Sequence, residues 1–319
     1  MGFWTRVRLP PGPRTETNGT VNLPCHFTKK ENRDKEMVKI ISDSTCDLSE
    51  ELIKRYDITI LPLHILLGEE EYLDGVNISP DEIYAWSDAH KTTPKTSAVA
   101  MTDVMDKFKP YLEQRMEIVC FSISDDMSTS GNVMRMAAEE LDASDKVFVI
   151  NSENLSTGIG LQVIEAAIMA QQGNGAAEIV KKIERIKPAV RASFVVDTLT
   201  YLYRGGRCSG LAALAGGALK LHPKIVVKDG KMQPDKKYRG NILKATLSYA
   251  KDLEPELLHA CKERVFITHS GSNAEVIEEV QHYLESLHYF DEILITRAGG
   301  VVSSHCGYGT LGVLFISKE

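Results

Sequence analysis

Long apolar runs are missing from this 319-residue chain. No stretch of about 18 uninterrupted apolar residues occurs, so no membrane-spanning helix is expected. The most apolar segments, 58–67 and 211–219, are core-sized, and the first is broken by Pro62 and His64. Cysteine is sparse. The six residues Cys25, Cys46, Cys120, Cys208, Cys261 and Cys306 are scattered, with no two at C-x-x-C spacing. That spacing predicts neither a disulfide framework nor a zinc site, and a cytoplasmic protein is the simple expectation. Positive charge is in deficit too: 37 Lys and Arg stand against 44 Asp and Glu, for a net charge of −7. An acidic chain makes a poor partner for a phosphate backbone, so no nucleic acid is expected. Residues 1–36 run against this trend, with seven Lys and Arg and four acids, so residues 37–319 carry −10.

General catalytic signatures are absent as well. The chain has no Walker A loop, no G-x-S-x-G elbow and no H-E-x-x-H. A G-x-G-x-x-G does occur, at Gly307–Gly312, but it runs into an apolar strand. A dinucleotide fingerprint needs a following helix, so this one is rejected. The nine His form no pairs at metal-ligand spacing. No metal and no cofactor are expected. Residues 1–36 hold Pro10, Pro11 and Pro13 and no apolar period. They are expected to be a disordered extension or a non-native start, with Met37 as the functional beginning.

From Val38 onward the pattern alternates. Strands are expected at 38–42, 58–66, 117–123 and 146–151, with helices near 48–56, 80–90, 101–115, 132–141, 156–172 and 176–186. Asp47 with Glu50 reads as a capping box, and Ser79-Pro80 as a second helix start. Residues 69–80 and Lys95-Thr-Ser97 read as loops. Such a βαβα series predicts an α/β fold with a mainly parallel sheet covered on both faces. Beyond about residue 190 the rhythm changes. A hairpin is expected around Asp229-Gly230, with strands at 191–196, 264–268, 292–297 and 310–316 and helices at 241–261 and 273–286. The expected division is therefore 37–190, a larger parallel-sheet α/β/α domain, and 191–319, a smaller α+β domain.

Ligands of open α/β sheets sit at the carboxyl ends of the strands. There the sequence offers hydroxyls rather than cations: Thr96-Ser97 before one helix, and Ser128-Thr-Ser130-Gly131 before another. Ser and Thr at helix starts serve as caps, but the same groups with free N–H donors also hold anions. Two such turns converging on one sheet suit a single anionic head kept free for chemistry. Asp43 and His269 end strands and are weaker candidates for the same cleft.

Taken in order, these motifs resemble the bacterial DegV family of fatty-acid-binding proteins. The resemblance rests on Val38-Lys-Ile-Ile-Ser-Asp-Ser-Thr-Cys-Asp-Leu48, Leu61-Pro-Leu63, Tyr72-Leu-Asp-Gly-Val76 and Lys95-Thr-Ser97. Tyr203-Arg-Gly-Gly-Arg207, Lys228-Asp-Gly230 and His305-Cys-Gly-Tyr-Gly309 continue it, so that it spans residues 37–319. It implies a lipid buried between the two domains and no autonomous enzyme. Members act as acyl carriers, presenting a long-chain fatty acid to a separate fatty acid kinase that makes an acyl-phosphate for phospholipid synthesis. Position by position, Thr96 and Ser97 resemble the head-group pair, Ser128 the serine of the family's Ser-rich turn, and His305 the carboxyl-side histidine. Arg207 resembles the arginine of kinase docking or phosphoryl transfer. Thr129 stands where the family has Gly, which makes Ser130 the substitute for Ser128 if that turn needs a positive φ.

A tail of 16 to 18 carbons buried at roughly 0.8 kcal/mol per CH₂ gains on the order of 12 kcal/mol gross. Association and ordering remove several kcal/mol, so the head group need only fix position. The small apolar stretch Leu211–Ala218 suits either a tunnel wall or an ordinary core helix. Two alternatives stay open: an esterase built on Ser128 and His305, and a carrier of another amphipathic lipid.

Overall fold

The computed structural model describes residues 37–208 and 221–318. The expectations for residues 1–36 and for Leu211–Ala218 lie outside the described residues. In chain order the described strands are β1 (Val38–Asp43), β2 (Thr59–Leu61), β3 (His64–Leu67), β4 (Glu70–Leu73), β5 (Lys95–Ser97), β6 (Glu117–Ser122) and β7 (Val147–Asn151). There follow β8 (Val190–Val195), β9 (Leu221–Lys228), β10 (Lys231–Arg239), β11 (Val265–Ser270), β12 (Ile293–Arg297) and β13 (Thr310–Ile316).

A four-stranded sheet runs β2-β1-β6-β7, every neighbour parallel. β1 and β6 are buried along nearly their whole length, as strands covered on both faces must be. A six-stranded sheet runs β10-β9-β8-β13-β11-β12 and is antiparallel apart from the β11–β12 pair. A small antiparallel sheet, β4-β3-β5, completes the set. The protein is thus α/β, with one parallel and one mixed sheet, and the mixed sheet is the larger.

The helix Thr157–Gln171 joins the two large sheets. Its sequence is apolar nearly all round, and it packs on β1 on one side and on β8 and β13 on the other. Gly160 allows the approach: a Cβ there would lie 2.7 Å from Leu48 Cδ2 and 2.9 Å from the Cys46 carbonyl oxygen. One continuous core therefore holds Val119 and Phe121 of β6 together with Phe194 of β8 and Leu314 of β13.

Local chemistry accounts for the elements. Ser79 caps helix Pro80–His90 with a full capping box: the Ser79 N–H donates to Glu82 Oε2 at 2.8 Å, and the Glu82 N–H donates to Ser79 Oγ at 3.4 Å. At Asp229-Gly230 both residues have positive φ, 49° and 74°, which gives the β9–β10 hairpin its tight two-residue turn.

Five sequence expectations differ from the structure. The single strand 58–66 is two strands in different sheets, because Pro62 has no N–H for a ladder. Residues 70–73 and Lys95-Thr-Ser97 are not loops; they are β4 and β5, held extended by pairing with β3. The helix expected at 241–261 is two, Ile242–Asp252 and Glu254–Leu257, since Pro255 starts a new first turn. Ser49, not Asp47, caps the first helix, its Oγ accepting from the Leu52 N–H at 3.3 Å. Asp47 sits in the left-handed region at φ 51° and turns its carboxylate inward.

Candidate functional site

Near the carboxyl end of β6 a cavity of about 450 Å³ opens, within the range of small-molecule sites. Its apolar wall includes Leu63, Ile123, Met127, Leu155, Met232 and Val302, all buried. Thr96, Ser97, Ser128, Arg207 and His305 share the same lining. Five of the six residues singled out from sequence thus converge, although they lie up to 209 positions apart.

Thr96 and Ser97 come from β5. The β3–β5 ladder sets their direction, with Thr96 opposite Ile65 and Ser97 opposite His64. Thr96 Oγ1 lies 2.9 Å from His305 Nε2. His305 is on the last turn of the short helix Gly300–Cys306. Its other ring nitrogen, Nδ1, is buried with no hydrogen-bond partner among the described residues. Burial is the main reason the imidazole is pushed down to about 4, and the Arg207 charge adds to it. The ring is therefore neutral at physiological pH, and one nitrogen donates while the other accepts.

Gly205 and Gly206 explain the Gly-Gly-Arg run. The helix Thr200–Gly205 ends with Gly206 in the left-handed region at φ 65°. Gly205 lies against the imidazole: a Cβ there would meet His305 Nδ1 at 2.4 Å. Arg207 is exposed and donates from Nη1 to the Gly205 carbonyl oxygen at 2.7 Å, which holds its guanidinium by the cavity.

Ser128 closes an ST-turn at the start of helix Ser130–Glu140. Its Oγ accepts from the Ser130 N–H at 3.2 Å and pairs with Ser130 Oγ at 3.0 Å. Ser130 is fully buried behind Ser128 and is not among the lining residues. Thr129 has φ −92°, an ordinary conformation, so the turn needs no glycine there. Gly131 is required by space instead: a Cβ would meet Asp125 Oδ1 at 2.5 Å and Ser122 Oγ at 2.6 Å. The acids beside the cavity are paired, Asp125 with Arg135 at 2.9 Å and Asp126 with Lys231 at 3.3 Å. Among the described residues the cavity mouth is thus left with hydroxyls, a neutral imidazole and the Arg207 guanidinium, donors suited to a carboxylate.

Asp43 does not line the cavity. It is buried at the end of β1 and braces the 123–128 loop, its Oδ2 accepting from the Ile123 N–H at 2.8 Å and its Oδ1 accepting from the Thr45 N–H and Oγ1. Burial pushes its carboxyl up to about 6. His269 does not line this cavity but an adjoining void of about 20 Å³, which shares Leu155, Val302 and Cys306 with it. Sequence reasoning missed Gly205 as the floor of the imidazole, and the apolar wall, whose members come from five separate stretches of chain. The Gly-Gly dipeptide was the available signal for the first; the second carries none. Among the described residues no group of His, Cys, Asp and Glu could hold a metal, and no helix is long and apolar enough to cross a membrane.

Residues 37–318 match the family model described as "Uncharacterised protein, DegV family". A DegV domain-containing protein of Clostridium perfringens is 32% identical over 288 residues, covering 88% of this chain and 99% of that one. A DegV family protein from Thermus thermophilus, described by its fatty acid binding, superposes with a TM-score of 0.80 at 28% identity. The superposition covers 88% of this chain and 100% of that one. A stearic acid-binding protein from Eubacterium ventriosum superposes at TM-score 0.77 and 30% identity, covering 88% and 99% of the two chains.

Proposed function

This chain belongs to the DegV family, and on that premise we propose that it binds a long-chain fatty acid in the 450 Å³ cavity and presents the carboxylate to a separate ATP-dependent fatty acid kinase. One observation carries the reading: Thr96, Ser97, Ser128, His305 and Arg207 line one cavity with a largely apolar wall, and its two acids, Asp125 and Asp126, are paired with Arg135 and Lys231. The tail lies along Ile123, Met127, Leu155, Met232 and Val302, and its burial supplies the affinity. Thr96, Ser97, Ser128 and the His305 imidazole position the head, with Ser130 holding Ser128 from behind. Residues 37–190 and 191–319 act as two domains with the ligand between them. The setting is the cytoplasm, and the product is an acyl-phosphate for phospholipid synthesis.

The chain itself performs no chemistry in this proposal. A Ser-His esterase needs the serine on the histidine and a third group orienting the ring. Here Ser128 is engaged with Ser130, His305 Nε2 with Thr96, and Nδ1 has no partner among the described residues. Arg207 is the group suited to a transferring phosphoryl, because a guanidinium binds phosphate oxygens through two parallel N–H donors.

Solvent extraction of the purified protein followed by lipid mass spectrometry is expected to yield a stoichiometric long-chain fatty acid. An empty extract, with no binding of added fatty acids, would overturn the carrier role. Ser128→Ala is expected to fold normally and to slow acyl-phosphate formation with the kinase; an unchanged rate would remove Ser128 from the site. Arg207→Ala is expected to lose acyl-phosphate formation far more than fatty acid affinity.

A further inference from the structure

Two buried carboxylates from the first half of the chain meet the helix that carries His305, at the opposite end from the imidazole. The Gly299 N–H donates to Asp47 Oδ1 at 2.8 Å, and the Gly300 N–H donates to Asp74 Oδ1 at 2.6 Å. The Val301 N–H also donates to Asp74. Three of the N–H groups that a helix start leaves unpaired are thereby satisfied by carboxyl oxygens. Gly299 offers no side-chain cap of its own. Glycine is needed here: a Cβ on Gly300 would lie 2.7 Å from both Ile65 Cδ1 and Ile83 Cδ1, and 3.0 Å from Asp74 Oδ1.

Each carboxylate is also tied to the cavity wall. Ser44 Oγ donates to Asp74 Oδ2 at 2.8 Å and accepts from the N–H of Leu63, a wall residue, at 3.1 Å. Ser156 Oγ donates to Asp47 Oδ2 at 2.5 Å. Ser156 has φ 54° and ψ −146°, a strained region for a residue with a side chain, and it follows the wall residue Leu155. A neutral Ser or Asn cap would satisfy a helix start at far lower desolvation cost than two buried acids. What the acids add is a rigid tie between the first half of the chain and the helix Gly300–Cys306.

We propose that Asp47 and Asp74 are positioning residues for the head-group site: they clamp the Gly299–Val301 end of the helix so that His305, about 8 Å further along at 1.5 Å per residue, meets Thr96. The proposal rests on the fatty-acid reading for its consequence, but its geometry is testable on the ligand-free protein.

The test is ¹⁵N NMR of the His305 imidazole in ligand-free full-length protein, followed by titration with a long-chain fatty acid. Asp74→Ala is expected to shift the His305 ring signals and weaken fatty acid binding about tenfold or more. Asp74→Asn, which keeps an acceptor for the Gly300 N–H, is expected to retain both. Leu257→Ala, in the remote cluster behind β13, serves as a control of matched thermal destabilisation and is expected to leave the ring signals in place. If Asp74→Ala does not fold, Gly300→Ala tests the same seating from the helix side. Unmoved His305 signals in Asp74→Ala or Gly300→Ala, or an equal change in Leu257→Ala, would overturn the clamp. A moved ring in Asp74→Ala, together with a wild-type protein that binds no fatty acid, would keep the clamp and overturn the carrier role instead.

Discussion

At the scale of single residues, the two glycines before Arg207 make different predictions. Gly205→Ala places a methyl 2.4 Å from His305 Nδ1, so the ring must move or the helix must shift. Gly206→Ala meets nothing within 4 Å but forces a side chain into φ 65°. That strain costs about 1–2 kcal/mol. Both variants should therefore lose stability in denaturant melts, while only Gly205→Ala should lose fatty acid affinity in calorimetry. Equal affinities for the two would mean that the imidazole does not position the head group. Residue types and motif order made Thr96, Ser128 and His305 legible as candidates. The 2.9 Å contact between Thr96 and His305 was not legible, because it depends on β3 pairing with β5.

At the scale of elements, the buried aspartates and the histidine set opposite pH slopes. Burial, first of all, pushes Asp47 up to about 8 from an ordinary 3.8, with Asp74 and Asp43 adding to the shift. Folding is then favoured by the protonated form. That stability is present below the ordinary carboxyl range and is lost as pH rises through about 8. His305, pushed down to about 4, works the other way: its contribution is present above its ordinary 6.5 and lost as pH falls through about 4. Urea unfolding between pH 5 and 9 is expected to show a decline toward alkaline pH that Asp47→Asn flattens. A slope unchanged in Asp47→Asn would mean that Asp47 is ionised in the folded protein.

The elements themselves divide by how local their causes are. The Ser79 capping box and the Asp229-Gly230 turn involve neighbours in sequence and could be read directly. β4 and β5 are short and partly exposed, and only their long-range pairing with β3 keeps them extended. The Asp47-Glu50 spacing has the form of a capping box, yet the adjacent Ser49 took the cap and left the Asp47 carboxylate for Gly299.

For the whole molecule, one core spans both large sheets, with the helix Thr157–Gln171 between them and the cavity lined from both sides. A ligand that fills the cavity binds only the folded state. Added fatty acid at 100 times its Kd should therefore raise stability by about 2.7 kcal/mol. Differential scanning fluorimetry of delipidated protein checks this; a melting temperature insensitive to fatty acid would exclude binding in this cavity.

The sequence by itself determined the α/β alternation, the family, the hairpin and the hydroxyl and imidazole groups that now share a cavity. These follow from periodicity, turn chemistry and motif order, each carried by residues close together in the chain. The tertiary structure alone decided that Ser128 faces the cavity while Ser130 is buried behind it. It also decided that Gly205 floors the imidazole and that Asp47 and Asp74 reach across more than 200 positions to hold the helix of His305. Such contacts depend on packing between distant segments, and no local pattern in a sequence records which buried carboxylate will find which unpaired N–H.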